Sequence, residues 1–353
     1  MKRLLLTSAI FSFFLIGSFA QQQIDLKLDS IVRQGISLHD QGLYNEAIKT
    51  YKEALKIDKK SSLVNYEIAY SYFSLGDYKK AVDYSDKVLS FNNGSEIGAY
   101  IIKGSSLDYM DKSSQAIDVF GEGIEKFKDN YLLYFNRALV YNKIQEYKKA
   151  EADLEKTIAL KRDHATSHLQ LGYTSLAQNE RAKGLMSLYF FLFLENKGTR
   201  AQNAYSLLSQ TIESFVQKND SKPGNFDILL NSSQLDSDFS SIEIMLPLLQ
   251  AANIAVSNGS LSANSGKSKS VSFSESFLSM IADLEQLNKP DIWWDFYIPF
   301  FKKLSEAGLL EVYCHYIMAE MDTDSAKWLE ENEDKVDKFA DWFALNRTTF
   351  GFY

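Results

Sequence analysis

His164 and His168 are four residues apart, a spacing that lets two imidazoles share one helix face and approach one metal ion. A zinc-protease helix needs glutamate directly after the first histidine, and Ala165 stands there instead. His164 also falls in the turn before the expected helix, so the pair reads as solvent-exposed or partly packed side chains. Cys314 and His315 are neighbours, and successive helical residues point about 100° apart, so they do not make a nucleophile–base pair by themselves. Cys314 lies in an aromatic helix and reads as a small buried hydrophobe. Gly266-Lys267-Ser268 resembles the end of a phosphate loop, but six residues separate Gly259 from Gly266 where the motif has four, and no strand pattern precedes it. No nucleophile elbow is present. No catalytic, cofactor-binding or metal-binding residue is assigned.

The elements that would position these side chains are set by a repeat. Gly35, Ala69, Gly104, Ala138 and Gly172 form a column with spacings of 34, 35, 34 and 34 residues. Ala47, Ala81, Ala116, Ala150 and Gly184 form a second column in the same phase, and Leu55, Leu89, Ile124, Ile158 and Leu192 a third. Tyr44, Tyr78 and Tyr147 recur just before the second column. Two packed helices approach closely only where the facing side chains are small. Each repeat therefore reads as a helical hairpin with glycine or alanine at the crossing, surrounded by Tyr51, Tyr72, Leu107, Phe120, Tyr141 and Leu154. Gly42 and Gly76 sit between paired helices, where a helix end favours a residue tolerant of positive φ. The extra residue between the second and third repeats falls near Asn92-Asn93-Gly94-Ser95.

The 34-residue period, the small columns and the segments Gly76–Ala81 and Gln145–Ala150 resemble the tetratricopeptide repeat family over roughly residues 28–198. The chain departs from that family in lacking the usual proline after the second helix, where Lys59 and Arg162 stand. It also lacks the early tryptophan, replaced by Ile31, Asn65, Tyr100, Tyr134 and His168. The resemblance implies an all-α fold: a right-handed solenoid of about five hairpins, with an irregular helical domain behind it.

The last hairpin is informative. Gly184 to Leu194 is apolar on every face and too short to span a bilayer, so the chain that follows must cover its far side. After Arg200 the repeat is lost, but helices are still predicted over 201–217, 241–256, 275–287, 293–307, 309–321 and 324–345. Ser240 with Glu243, and Ser272 with Glu275, have capping-box spacing. Asp220 to Gly224 and the serine-rich 257–270 read as loops. Asp291 to Phe301 is dense in aromatic residues, with Trp328 and Trp342 further on. These rings are expected to form the core of a cap, since a terminal repeat needs a covering element; the rival reading is a platform that stacks on sugars.

Residues 1–20 have the charge and apolar pattern of an export signal, with Ser18-Phe19-Ala20 as the cleavage site. The expected domains are thus a signal peptide over 1–20, the repeats over 21–199 and the helical domain over 200–353. The absence of cysteine near Ala20 argues against a lipid anchor, and no stable membrane anchor is expected after cleavage. A single cysteine and a net charge of −8 fit a bacterial periplasmic or secreted protein and argue against nucleic acid as a partner.

In the family, the first helix of each hairpin lines a concave face. The resemblance implies a groove made by Val32, Ile36, His39, Tyr66, Tyr70, Phe73, Ile101, Tyr109, Phe135, Asn142, Leu169 and Tyr173. It lacks the lysine–asparagine–arginine set with which chaperone-linked members hold a peptide carboxylate; Val32 and Ile36 occupy the first two of those places. An aromatic groove suits an extended or helical peptide. The expected function is a non-catalytic interaction scaffold of the cell envelope, with no cofactor and a protein or peptide as partner. The alternative is a glycan-binding or glycan-processing accessory protein.

Overall fold

The computed structural model describes residues 25–92, 96–219, 225–229, 237–257, 269–285 and 289–352. The predicted export signal, the inserted loop at 93–95, the loop at 220–224 and most of the serine-rich loop lie outside the described residues. The chain forms two compact units, Met1–Val140 and Tyr141–Tyr353. That division falls inside the seventh helix, whereas the boundary at 199/200 was drawn where the repeat phase ends.

In the first unit, helix α1 covers 25–40, followed by α2 (Tyr44–Ile57), α3 (Ser62–Ser74), α4 (Tyr78–Phe91), α5 (Ile97–Tyr109) and α6 (Ser113–Lys126). Helix α7 (Tyr131–Lys143) crosses the division. Neighbouring helices from α2 to α6 pack in sequence order. The small columns lie at their contacts. A methyl group added at Gly35 would come within 2.3 Å of the Tyr51 ring, and one at Gly104 within 2.5 Å of Phe120. Ala47, Ala69, Ala81, Ala116 and Ala138 are fully buried.

Each hairpin turn uses one left-handed residue. Gly42 (φ 76°) and Gly76 (φ 77°) fill it as expected, and Asp111 (57°), Gln145 (62°) and Asn179 (60°) take the same place in later repeats. Asparagine and aspartate tolerate this region because their side chains bond locally; Gln145 has no such excuse and is held by the turn.

The second unit holds α8 (Tyr147–Leu160), α9 (Ala165–Ala177) and α10 (Arg181–Leu194), which continue the hairpins. Gly172 meets the Leu188 side chain and Gly184 meets Leu176, each at the α9–α10 crossing. Helix α10 is buried from Ala182 to Phe193 apart from Lys183. The chain that follows covers it, as its apolar sequence required. Helices α11 (Gly198–Glu213), α12 (Ser240–Ser257) and α15 (Leu310–Met318) pack on it. Tyr189 shares a 2.7 Å hydrogen bond with Ser274, and Tyr313 donates to the Tyr189 carbonyl at 3.0 Å.

Several boundaries differ from those predicted. The helix predicted to reach residue 217 stops at Glu213, and Val216–Lys218 (β1) pairs antiparallel with Phe226–Ile228 (β2). Phe215, buried beside Phe273 and the Arg181 guanidinium, pins the chain as it leaves the helix. The fold is therefore helical with one small two-stranded sheet among the described residues. Helix α13 runs Lys269–Ala282, so Ser272 lies inside it and caps nothing. Trp293–Tyr297 is a π-turn leading into α14 (Ile298–Glu306); Pro299 has no N–H to give, and the Ile298 amide reaches the Trp293 carbonyl instead. The predicted single helix 324–345 is broken at Asn332, whose side chain donates to the Trp328 carbonyl at 2.8 Å, leaving α16 (Thr323–Glu331) and α17 (Glu333–Asn346). No helix among the described residues is long and apolar enough to cross a membrane.

Candidate functional site

Within the first unit, α3 sets Tyr66, Tyr70 and Phe73 at one-turn intervals, and the small crossings bring α1 and α5 close enough for His39 and Tyr109 to meet those rings. The His39 ring stacks on Tyr70 with centroids 4.5 Å apart, and Tyr66 lies beyond Tyr70 at 6.3 Å. Tyr44, from the start of α2, closes edge-on against His39 at 5.0 Å. A second group joins Phe73, Tyr78 and Tyr109: Tyr78 and Tyr109 are nearly parallel at 4.9 Å, and Phe73 meets Tyr109 edge-on at 5.7 Å. Tyr70 and Tyr109 remain 41% and 62% exposed.

These rings are anchored from below. His39 Nδ1 lies 2.9 Å from the Ser71 hydroxyl, and burial lowers the affinity of its ring for a proton, against the pull of Asp40. The histidine is thus biased towards its neutral form. Tyr66 packs over Gly98, where an added methyl would come within 2.4 Å of its ring. Burial raises the Tyr66 and Glu67 pKa values; the Tyr51 hydroxyl donates to Glu67 at 3.4 Å and partly opposes the latter. Ile36 lines a shallow depression with Arg33, Ser37, Asp40 and Gln41.

Not every expected groove residue lines a surface. Val32 and Leu169 are 5% and 6% exposed, and Val32 belongs to the core of the first hairpins. Both are too buried to meet a partner and are withdrawn as contacts. His39 is buried and acts as a support for Tyr70. Phe73, Ile101 and Phe135 are half-buried. Asn142, Leu169 and Tyr173 belong to the second unit, where Thr174 donates to Asn142 at 3.0 Å and Tyr173 is exposed. Tyr44 and Tyr78 were missed as ladder members. Their recurrence before the second small column was visible, but their reach back to the first helix was not.

The chemical candidates resolve differently. His168 is fully buried, correcting the expectation of a solvent-exposed or partly packed ring. Its Nε2–H donates to the Arg162 carbonyl at 2.8 Å, so Nδ1 accepts from the Tyr297 hydroxyl at 2.6 Å. His164 contacts Ser167. Among the described residues no group of three or more His, Cys, Asp or Glu is placed to hold a metal. Cys314 is buried and forms no disulfide, and His315 contacts Ser325 and stacks on Trp328 at 4.1 Å. Trp293, Trp294, Phe296 and Tyr297 are buried, as a cap core requires.

Comparison with known proteins agrees with the repeat. A TPR repeat model matches residues 35–76 and a tetratricopeptide repeat model residues 64–94 and 131–164. A TPR repeat-containing protein of Methanocaldococcus jannaschii is 27% identical over 127 residues, 36% of this chain and 22% of that protein. DnaJ homolog subfamily C member 3 of Gallus gallus is 35% identical over 86 residues, 24% of this chain and 17% of that protein. The chain thus spans about a fifth of the length of the curated relatives it matches. The crystal structure of a thermophilic TPR protein of Thermus thermophilus is similar, with 20% identity and a TM-score of 0.44 over 53% of this chain and 99% of that one. The chain carries tetratricopeptide repeats in its amino-terminal half.

Proposed function

We propose that this protein is a non-catalytic scaffold of the bacterial cell envelope whose aromatic ladder binds a peptide or protein. Tetratricopeptide repeat proteins in general bind protein or peptide partners. The observation that carries the reading is the ladder itself: Tyr70 and Tyr109 offer rigid, exposed ring faces, each backed by other rings. Such side chains give contact area at little cost in side-chain entropy. The amino-terminal apolar segment supports an exported location.

The glycan reading loses the tryptophan part of its motive. Trp293 and Trp294 are buried, and Trp328 already stacks on His315.

The test is a photo-crosslinking amino acid placed at Tyr70, at Tyr109 and, as control, at exposed Lys49 on α2. Specific adducts from envelope extract are expected at the two tyrosine positions and not at Lys49. Tyr109→Ala should then weaken binding of the captured partner about tenfold or more. Equal labelling at all three sites, or undiminished binding by Tyr109→Ala, would overturn the assignment.

A further inference from the structure

Helix α12 is apolar on two faces. Its 18 residues contain one charged side chain, Glu243, and that one is buried. Ile242, Leu246 and Gln250 are buried with it, on a helix that packs against α10, α11 and α13. The opposite stripe holds Ser241, Ile244, Met245, Leu248, Leu249 and Ala252; Leu249 is half-buried and the others are exposed. Steps of three and four residues keep these positions on one side of the helix, as a ridge about 17 Å long.

The end of β2 widens the ridge. Pro247 has no N–H to give the Glu243 carbonyl, and Arg181 donates to that carbonyl at 3.5 Å instead. Arg181 also donates to the Leu229 carbonyl at 3.3 Å, which ties Leu229, just past β2, beside the first turns of α12. The guanidinium is itself neutralised by Glu243 at 3.0 Å. Ile228, Leu229, Ile244, Met245 and Leu248 are between 39% and 43% exposed. Exposed apolar residues scattered singly need no explanation, but a contiguous group of them marks a contact surface.

Charge and shape together select the occupant. The chain has a net charge of −8, so two copies repel one another unless they meet through a face without carboxylates. The α12 ridge has none. It is also its own complement. A second ridge laid antiparallel sets Met245 against Leu248, Ile244 against Leu249 and Ser241 against Ala252. Large side chains then meet on both sides of a twofold axis, and small ones at both ends let the helices approach. Contacts between identical chains are the more apolar kind of protein interface. An anionic lipid surface would instead face the negative charge of the whole chain.

We propose that α12 binds a second copy of this chain, antiparallel, through the ridge from Ser241 to Ala252.

Sedimentation equilibrium of the full chain measures the association. A dimer should be populated by about 100 μM. Met245→Glu places a carboxylate in both halves of the contact and should weaken the dimer at least about tenfold. Leu345→Glu, at a leucine 81% exposed on α17, should leave it unchanged. Salt screens the repulsion between two negative chains, so raising it from about 0.05 to 0.5 M should not dissociate the dimer. The register is read with a short bis-maleimide. A mixture of Ser241→Cys and Ala252→Cys chains should crosslink faster than either variant alone. A monomer throughout that range, a dimer indifferent to Met245→Glu, dissociation by salt, or Ser241→Cys linking to itself as fast as to Ala252→Cys would overturn the proposal. If Met245→Glu does not fold, the crosslinking pattern decides.

Discussion

Gly104→Ala and Gly121→Ala place the same methyl group in consecutive helices of one hairpin, with opposite expected consequences. At Gly104 the added carbon would lie 2.5, 2.7 and 2.8 Å from three ring atoms of Phe120, which is fully buried. Ordinary carbon contacts are about 3.5–4.0 Å, so the ring or the helix must move by about 1 Å. Overpacking of this kind costs about 1–3 kcal/mol. At Gly121 the nearest atom is the end of the Arg137 side chain, 3.8 Å away, which is ordinary contact. Both substitutions gain about 1 kcal/mol of helix propensity. That gain cancels in the comparison, so Gly104→Ala should be less stable than Gly121→Ala by about 1–3 kcal/mol. Gly121→Ala itself should be more stable than the unaltered chain. Urea unfolding followed by helical circular dichroism measures the difference. Amide exchange within α5 and α6 localises it, since repeat arrays open locally. Adding Phe120→Leu should relieve part of the Gly104→Ala cost, a coupling of about 0.5–3 kcal/mol. Two alanine variants of equal stability would show that the small column is not where the helices meet.

Two further substitutions probe the second unit. Burial, outweighing the favourable Arg162 carbonyl, pushes His168 down to about 3. In the unfolded chain it titrates near 6.5, so only the unfolded state takes up this proton between those values. Its contribution to stability is complete above about pH 6.5 and is lost as pH falls, at up to about 1.4 kcal/mol per pH unit. Glu155, raised to about 7, contributes with the opposite sign as pH rises from about 4.5. The difference between the unaltered chain and His168→Gln therefore isolates the histidine, and parallel stability curves for the two would refute the assignment. Glu243 accepts from the Ala182 amide at 2.7 Å and from Arg181 at 3.0 Å while 2% exposed. Glu243→Ala strands both donors and should cost about 3–5 kcal/mol in thermal or urea unfolding; a loss below about 1 kcal/mol would mean the pair is replaceable by water.

Glu243 also marks the limit of local sequence reading. Its spacing from Ser240 fits a capping box, yet the carboxylate caps α10, whose first turn is 61 residues earlier in the chain. Capping spacing reports only that a carboxylate is within reach of its own helix end. An orphan amide from another helix can compete for it, and here Arg181 adds charge that Ser240 lacks.

What the sequence determined by itself was whatever a period encodes. Glycine and alanine returning every 34 or 35 residues fixed the hairpins, because only small side chains let helices touch, and the contact recurs wherever the spacing does. The uniformly apolar α10 likewise announced that something must enclose it. Tertiary structure alone decided which aromatic rings became core and which became surface. Tyr70 and Val32 were both expected in one groove, but a helix face is divided between partner and solvent by rotations of a few tens of degrees. The packing around Trp293 was not legible at all. Glu155, Asp291 and Phe239 come from segments with no shared period, and only packing brings their charges and rings to one place.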